Sequence, residues 1–445
     1  MDTVWTPASW QQRPAAQQPE YPDSEALQSV LANLAQLPPL VTSWEVEDLK
    51  SQLAAASRGE KFVLQGGDCC ERFDECTSDI IVSKLKILLQ MALILVHGSR
   101  RQVIRLGRFG GQYAKPRSSD TEIRDGVSLP AFRGDLINGA EFLPQVRTPD
   151  PERLIRGYGK AALTINFIRA LGTGGFADLH HPQQWNLRFA SNTPQEGRYQ
   201  GTVARILDAI EFVETILGES ISELGTAAFY TSHEGLLLWY EQAQTRQVPR
   251  RPGFYNLSTH FPWIGDRTRM LDGAHVEYFR GIANPIGVKL GPSITPRELL
   301  HLIEKLNPAN EPGRLTLIHR FGVDRIDACL PPLIEAVQQA ERIVLWCCDP
   351  MHGNAELTET GVKTRRFDNI LGELDRAFAI HRRLGTWLGG VHFELSGEDV
   401  TECIGGARGL GAQGLSQAYR SLVDPRLNYE QALEMALLIA DRIKP

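Results

Sequence analysis

Short runs of aliphatic and β-branched residues punctuate this chain. Between them the apolar positions recur at the three-to-four-residue spacing of an amphipathic helix. Eight runs read as strands: Phe62–Leu64, Val103–Leu106, Ala227–Tyr230, His260–Trp263, Ile286–Leu290, Leu315–His319, Ile343–Trp346 and Leu388–Phe393. The unbroken apolar character of Ile343–Trp346 fits a strand covered on both faces, as in parallel sheets. The best-marked helix begins at Thr295-Pro-Arg-Glu298. Thr295 is the cap, proline takes the first helical position, and Glu298 completes a capping box. Strands alternating with helices predict an α/β fold whose simplest closure is a (β/α)8 TIM barrel. A doubly wound open sheet is the alternative, but no GxGxxG follows the first strand to support a dinucleotide site.

The same pattern divides the chain. Residues 1–58 are expected to form an N-terminal extension packing on the barrel or on a partner subunit, since Met1–Leu40 is rich in Pro and Gln and carries Trp5 and Trp10 as docking side chains. Residues 59–445 are expected to be the catalytic barrel. The interval from Arg108 to Gly225 is too long for one βα unit, and its amphipathic segments Pro151–Leu171 and Val203–Leu217 read as inserted helices around 151–217.

Composition narrows the class. At 445 residues, 42% hydrophobic and 22% charged with net charge -6, the chain is globular and mildly acidic, which argues against nucleic acid as a partner. No membrane is expected either, because the apolar run Ile80–Val96 is interrupted by Ser83, Lys84, Lys86 and Gln90 and reads as a buried helix. The N-terminus lacks a charged-then-apolar leader pattern, and seven cysteines, with adjacent pairs at Cys69-Cys70 and Cys347-Cys348, suggest a reducing cytoplasmic setting.

Barrel enzymes build their sites from residues just past the C-terminal ends of the strands, and here every predicted strand end is polar. Two chemical sets emerge. Cys69, His352, Glu394 and Asp424 offer a thiolate, an imidazole and two carboxylates, too oxygen-rich for a closed structural zinc site and suited to a catalytic divalent metal. Arg108, Arg267, Lys289 and Arg320, with Lys115 and Arg117 nearby, would repel one another unless anionic groups filled the space between them. Scattered surface charges are the bland alternative, but such charges have no reason to fall repeatedly at strand ends. His97, His180, His181 and His381 are expected to be solvated, whereas His233 and His319 fit a core position as well as a site.

These residues lie in longer motifs: GGDCCERF from Gly66, RFGGQYAKPRS from Arg108, SHEGLLL, HFPWIGDRTR, NPIGVKLGPS, IHRFG, DPMHGN, GGVHFELSGEDVTECIGG and DPRLN. In this order they resemble the type II (plant-like, class II) 3-deoxy-D-arabino-heptulosonate-7-phosphate (DAHP) synthases from Trp5 to the C-terminal helix. The resemblance implies an aldol-type transferase condensing phosphoenolpyruvate with D-erythrose 4-phosphate, the first step of the shikimate route to aromatic amino acids. It places the metal ligands at Cys69, His352, Glu394 and Asp424, with Mn2+ expected and Co2+, Fe2+ or Zn2+ also suited. It puts phosphoenolpyruvate on Arg108, Asp266, Arg267, Lys289 and Arg320, and erythrose 4-phosphate on Lys115, Arg117 and Ser118. Lys115, and less strongly His392, are the candidates for protonating the alkoxide oxygen. It also implies a homo-oligomer, an aromatic effector and a chorismate mutase partner. The chain departs from the family pattern at Cys70, where Ala is usual, and at Asp266, where Glu is usual. An amino-DAHP synthase of secondary metabolism, or a non-catalytic effector-sensing barrel, are the rival readings.

Overall fold

Hydrogen bonding closes the eight expected strands into a ring. The computed structural model describes residues 4–174 and 228–443, with Gly197, Gln200, Gly201, Val203 and Ala204 between them. The strands are β1 (Lys61–Gly67), β2 (Gln102–Arg108), β3 (Tyr230–Glu234), β4 (Phe261–Ile264), β5 (Ile286–Leu290), β6 (Leu315–His319), β7 (Leu345–Cys348) and β8 (Leu388–Glu394). Each pairs in parallel with its neighbours in chain order, and β8 closes on β1. This is a (β/α)8 barrel.

Several boundaries differ from the expectation. At β3, backbone pairing extends the strand past the point where its side chains turn polar. Thus β3 is Tyr230–Glu234 rather than Ala227–Tyr230, because Ser232, His233 and Glu234 pair with Phe261, Pro262 and Trp263. The seventh strand moves from Ile343–Trp346 to Leu345–Cys348, with a register shift against β8 between Trp346 and Cys347. Arg108 and Glu394 are therefore the last residues of their strands, not loop residues. Both lie opposite Gly67, which pairs with Arg108 on one side and Glu394 on the other. Gly67 has φ 145, and a Cβ there would come within 2.7 Å of the Arg108 carbonyl oxygen, so only glycine permits this close approach.

The helix Ser43–Ser57 closes the N-terminal end of the barrel. Its Leu49, Leu53 and Ala56 join Val63, Ile104, Phe261, Trp263, Ile318, Leu345 and Cys347 in a single apolar cluster. A capping box between Thr42 and Glu45 fixes where this helix starts. The Thr295–Glu298 box is present as expected at the head of Pro296–Leu306.

The long apolar run forms the helix Ser78–Ser99, which has the length and hydropathy of a membrane span yet packs against the C-terminal helix Tyr429–Arg442 and the barrel. Its Lys84 and Gln90 are buried, and Lys84 ion-pairs with Asp68 under the barrel mouth. The inserted segment expected at Pro151–Leu171 is the helix Glu152–Thr173. Val203–Leu217 lies outside the described residues apart from Val203 and Ala204. In the N-terminal stretch, Trp5 donates from its indole to the Glu277 carbonyl and fills a notch at Gly281, where any Cβ would strike its ring.

Candidate active site

The loop after β1 sorts its four consecutive polar residues by partner. Asp68 is buried between Lys84 and Arg426. Glu71 accepts from the backbone N–H groups of Gly110, Gly111 and Gln112, each at 3.0 Å, and so ties the β1 loop to the β2 loop. Cys70 points its thiol to the Glu71 carbonyl. Only Cys69 reaches the barrel mouth, where its Sγ sits 3.4 Å from Ser421 Oγ. Acid density at this turn therefore serves mainly to hold loops, and one side chain in four faces the chemistry.

Glu394, fully buried at the end of β8, is the centre of the mouth. Its Oε1 is 3.0 Å from Lys115 Nζ, 3.1 Å from Arg108 Nη2 and 3.1 Å from His352 Nε2, while Oε2 lies 2.8 Å from Arg365 Nη2. Burial alone would raise its pKa, but His352, Lys115, Arg365 and Arg108 outweigh that and hold the carboxyl well below the usual range. Asp424 is treated the same way by Lys115, Arg365 and Lys363, and ion-pairs with Lys115 and with Lys363 at 2.5 Å.

His352 stands between two carboxylates, with Nδ1 2.7 Å from Asp349 Oδ2 and Nε2 3.1 Å from Glu394 Oε1. Asp349 orients the ring through Nδ1 as an acid orients a metal-ligating histidine, and Nε2 is left to face the ligand atoms of Glu394 and Asp424. Ligand atoms of His352, Glu394 and Asp424 all lie within 4.8 Å of one another. Cys69 falls outside that tight trio but within its field: burial pushes its thiol pKa up, Lys115 pulls it down, and Glu394 and Asp424 push it up again. One nitrogen and two oxygens, with a sulfur close by, fit a catalytic divalent transition metal. Glu394 Oε2 faces the Arg365 guanidinium as a buried ion pair, which holds the carboxylate in place beside the other donors.

The cations gather over Trp263, whose buried ring has Arg108 Cζ 5.3 Å and Lys289 Nζ 5.8 Å from its centroid. Lys289 donates to Asp349 at 2.7 Å. Arg320 bonds Asp266 Oδ2 at 3.1 Å and the His352 carbonyl at 2.9 Å. Asp266 also accepts from the Gly291 N–H and Arg269 Nε, both at 2.8 Å. A Cβ at Gly291 would lie 2.1 Å from its Oδ2, so the shorter acid is fully engaged through its side chain. Arg267 lines the cavity with no hydrogen bond or ion pair among the described residues. Arg117 is anchored to Glu122 at 3.3 Å with Ser118 beside it.

Lys115, Arg117, Ser118, Asp266, Arg267, Lys289, Arg320, His352 and Asp424 line one cavity of about 400 Å³. Cys69, Arg108, Glu394 and His392 are buried beneath or beside it. His392 sits on the edge of Trp263, and its Nε2 is 2.7 Å from Arg108 Nη1, which must be the donor. Sequence reasoning missed Lys363 and Arg365, on a hairpin strand after β7 that no strand-end rule reaches, and did not assign Glu234. A wider open depression of about 780 Å³ near Phe73, Arg156 and Leu163 gathers no comparable set of groups.

His381 is a correction: it is only 1% exposed rather than solvated, because Glu373, Ala377 and His381 form the face of the helix Phe367–Arg383 that packs on the barrel. His319, Cys348 and Glu373 also cluster, behind β6 and β7 and away from the cavity lining.

A parallel barrel whose cation-lined cavity adjoins a His and two carboxylates able to hold a metal ion is the architecture of an enzyme for anionic substrates. The class-II DAHP synthetase family description matches residues 5–440, and the chain belongs to that family. It is 47% identical to a phospho-2-dehydro-3-deoxyheptonate aldolase of Neurospora crassa, covering 99% of this chain and 94% of the relative. It is 49% identical to one of Streptomyces coelicolor, covering 97% and 96%. A solved phospho-2-dehydro-3-deoxyheptonate aldolase from Francisella tularensis SCHU S4 is a distant likeness at 13% identity and TM-score 0.44, over 94% of this chain and 96% of that one.

Proposed function

We propose that this chain condenses phosphoenolpyruvate with D-erythrose 4-phosphate, giving 3-deoxy-D-arabino-heptulosonate 7-phosphate and inorganic phosphate. The observation that carries the reading is the cavity itself. Cations outnumber carboxylates along its wall, and Arg267 is left with none of its donors committed among the described residues. Two phosphates and a carboxylate answer that excess.

Arg108, Arg267, Lys289 and Arg320, with Asp266 orienting Arg320, hold phosphoenolpyruvate. Lys115, Arg117 and Ser118 hold erythrose 4-phosphate. A divalent metal held by Cys69, His352, Glu394 and Asp424 supplies Lewis acidity for the aldehyde carbonyl when bound. The cations fix both substrates in register so that the enol carbon and the aldehyde carbon meet, which accounts for much of the acceleration. Lys115, kept cationic by Asp424 and Glu394, delivers a proton to the oxygen that the aldehyde becomes. His392 orients Arg108 from below. Glu234 has no hydrogen-bond or ion-pair partner for its carboxylate among the described residues and takes a proton from the water that adds at C2. The oxygen of that water becomes the keto oxygen, and phosphate leaves with C–O cleavage.

Manganese is our choice of resident ion, because two of the four proposed donors are hard carboxylate oxygens. Seven unpaired cysteines support a cytoplasmic location. A homo-oligomer, an aromatic effector and a chorismate mutase partner belong to the same reading and rest on family membership. The test is phosphate release from phosphoenolpyruvate with and without erythrose 4-phosphate, with and without chelator. Release that needs the aldehyde and is abolished by chelator supports the proposal, and release with an imino or amino analogue of the aldehyde in its place identifies the amino-DAHP reaction. No release with either acceptor leaves the non-catalytic barrel.

A further inference from the structure

Glu373 lies on the helix Phe367–Arg383, outside the cavity, and is fully buried. Its Oε1 accepts from the backbone N–H of Phe321 at 2.8 Å and of Gly322 at 3.0 Å, the two residues that follow Arg320. Its Oε2 accepts from Asn354 Nδ2 at 2.7 Å, two residues after His352. Asn354 Oδ1 in turn accepts from the Val323 N–H at 2.9 Å. The two turns are in direct contact, since a Cβ at Gly322 would come within 2.6 Å of the Gly353 carbonyl oxygen. Arg320 bonds the His352 carbonyl at 2.9 Å across the same seam. A single acid thus fastens the turn that carries the anion-binding Arg320 to the turn that carries His352.

We infer that Glu373 is a positioning residue that couples the phosphoenolpyruvate subsite to the metal subsite. The inference rests on the roles proposed above for Arg320 and His352. A buried acid without a cation partner is costly unless its oxygens are hydrogen-bonded, and this one satisfies three N–H donors at once. His319 and Cys348 bring ligand atoms within 4.8 Å of it, but both carboxylate oxygens are already committed to those donors. His319 stacks on Phe321 with an interplanar angle of 13° and packs the turn from its other side.

The test uses the full chain with Glu373→Gln and Glu373→Ala. In Glu373→Gln the remaining amide oxygen would still accept from Phe321 and Gly322, but the amide nitrogen would turn a donor toward Asn354 and break the link to the His352 turn. Three quantities are read: Mn2+ affinity by chelator competition with and without phosphoenolpyruvate, KM for phosphoenolpyruvate against kcat, and thermal midpoint. We expect Glu373→Gln to raise KM about tenfold with a smaller change in kcat, and to cut by at least about threefold the factor by which phosphoenolpyruvate tightens Mn2+ binding. Glu373→Ala should enlarge both effects. Wild-type coupling in Glu373→Gln, even with a lowered thermal midpoint, overturns the inference and leaves the acid a packing residue. If the unsubstituted chain binds neither Mn2+ nor phosphoenolpyruvate, the functional reading fails first and takes the inference with it.

Discussion

Lys115 Nζ lies 3.0 Å from Glu394 Oε1, and the same ammonium ion-pairs with Asp424. Two of the three clustered side chains that could hold a metal are therefore held by one lysine, which supplies part of the charge that a metal would bring. Lys115→Met should destabilise the metal-free protein toward the lower end of the ~3–5 kcal/mol typical of a broken buried pair, since Arg108 and Arg365 still neutralise Glu394. Added Mn2+ should recover most of that loss. Thermal unfolding in chelator and in Mn2+ checks this, and an equal deficit in both conditions would show that the lysine does not share a place with the ion.

Cys69 must lose its proton to bind a metal, and burial works against that loss. Metal uptake should therefore release a proton and tighten as pH rises. Cys69→Ser should cost roughly tenfold or more in Mn2+ affinity, in the range seen when metal-site groups are altered. Chelator competition at several pH values measures both effects. Near-normal affinity in the serine variant would falsify a ligand role for the sulfur.

Arg267 and Arg320 make opposite predictions for stability. Arg267 has no hydrogen-bond or ion-pair partner among the described residues, so Arg267→Gln should leave the thermal midpoint unchanged while KM for phosphoenolpyruvate rises ~10–100-fold, as expected for a lost charge-assisted hydrogen bond of ~1.5–3 kcal/mol. Arg320→Gln should raise KM similarly and also lower the midpoint, because Asp266 and the His352 carbonyl lose a donor. Steady-state kinetics with calorimetry separates the two.

Three buried histidines set an acid limit. Burial lowers His275 to about 4, and His319 and His381 to about 3, against 6.5 for an exposed imidazole. Between those values unfolding takes up protons, so stability falls as pH drops below about 6.5. Urea midpoints should decline from about pH 7 to about pH 5, and His381→Gln should make that decline shallower. A decline that is unchanged in the variant would place the proton uptake elsewhere.

The fold was readable because the barrel depends on one repeated local signal. Each apolar run must be buried on both faces, and helical periodicity between runs leaves parallel closure as the way to bury them. Strand ends were less legible. β3 is displaced because a backbone ladder can continue through Ser232 and His233, which no hydropathy pattern marks as strand.

Sequence by itself determined which chemistry this chain can host: its motifs carry a thiol, an imidazole, two carboxylates and several arginines and lysines at strand ends, because those atoms belong to residue types. Only the tertiary structure decided which of them meet. Glu394 joins Lys115, Arg365 and His352 because the β1–β8 register and a hairpin beyond β7 bring distant segments to one point. Asp68 and Glu71, beside Cys69 in the chain, were drawn instead into loop-holding bonds. Adjacency along the backbone fixes neither direction nor partner, whereas closure of the ring fixes both.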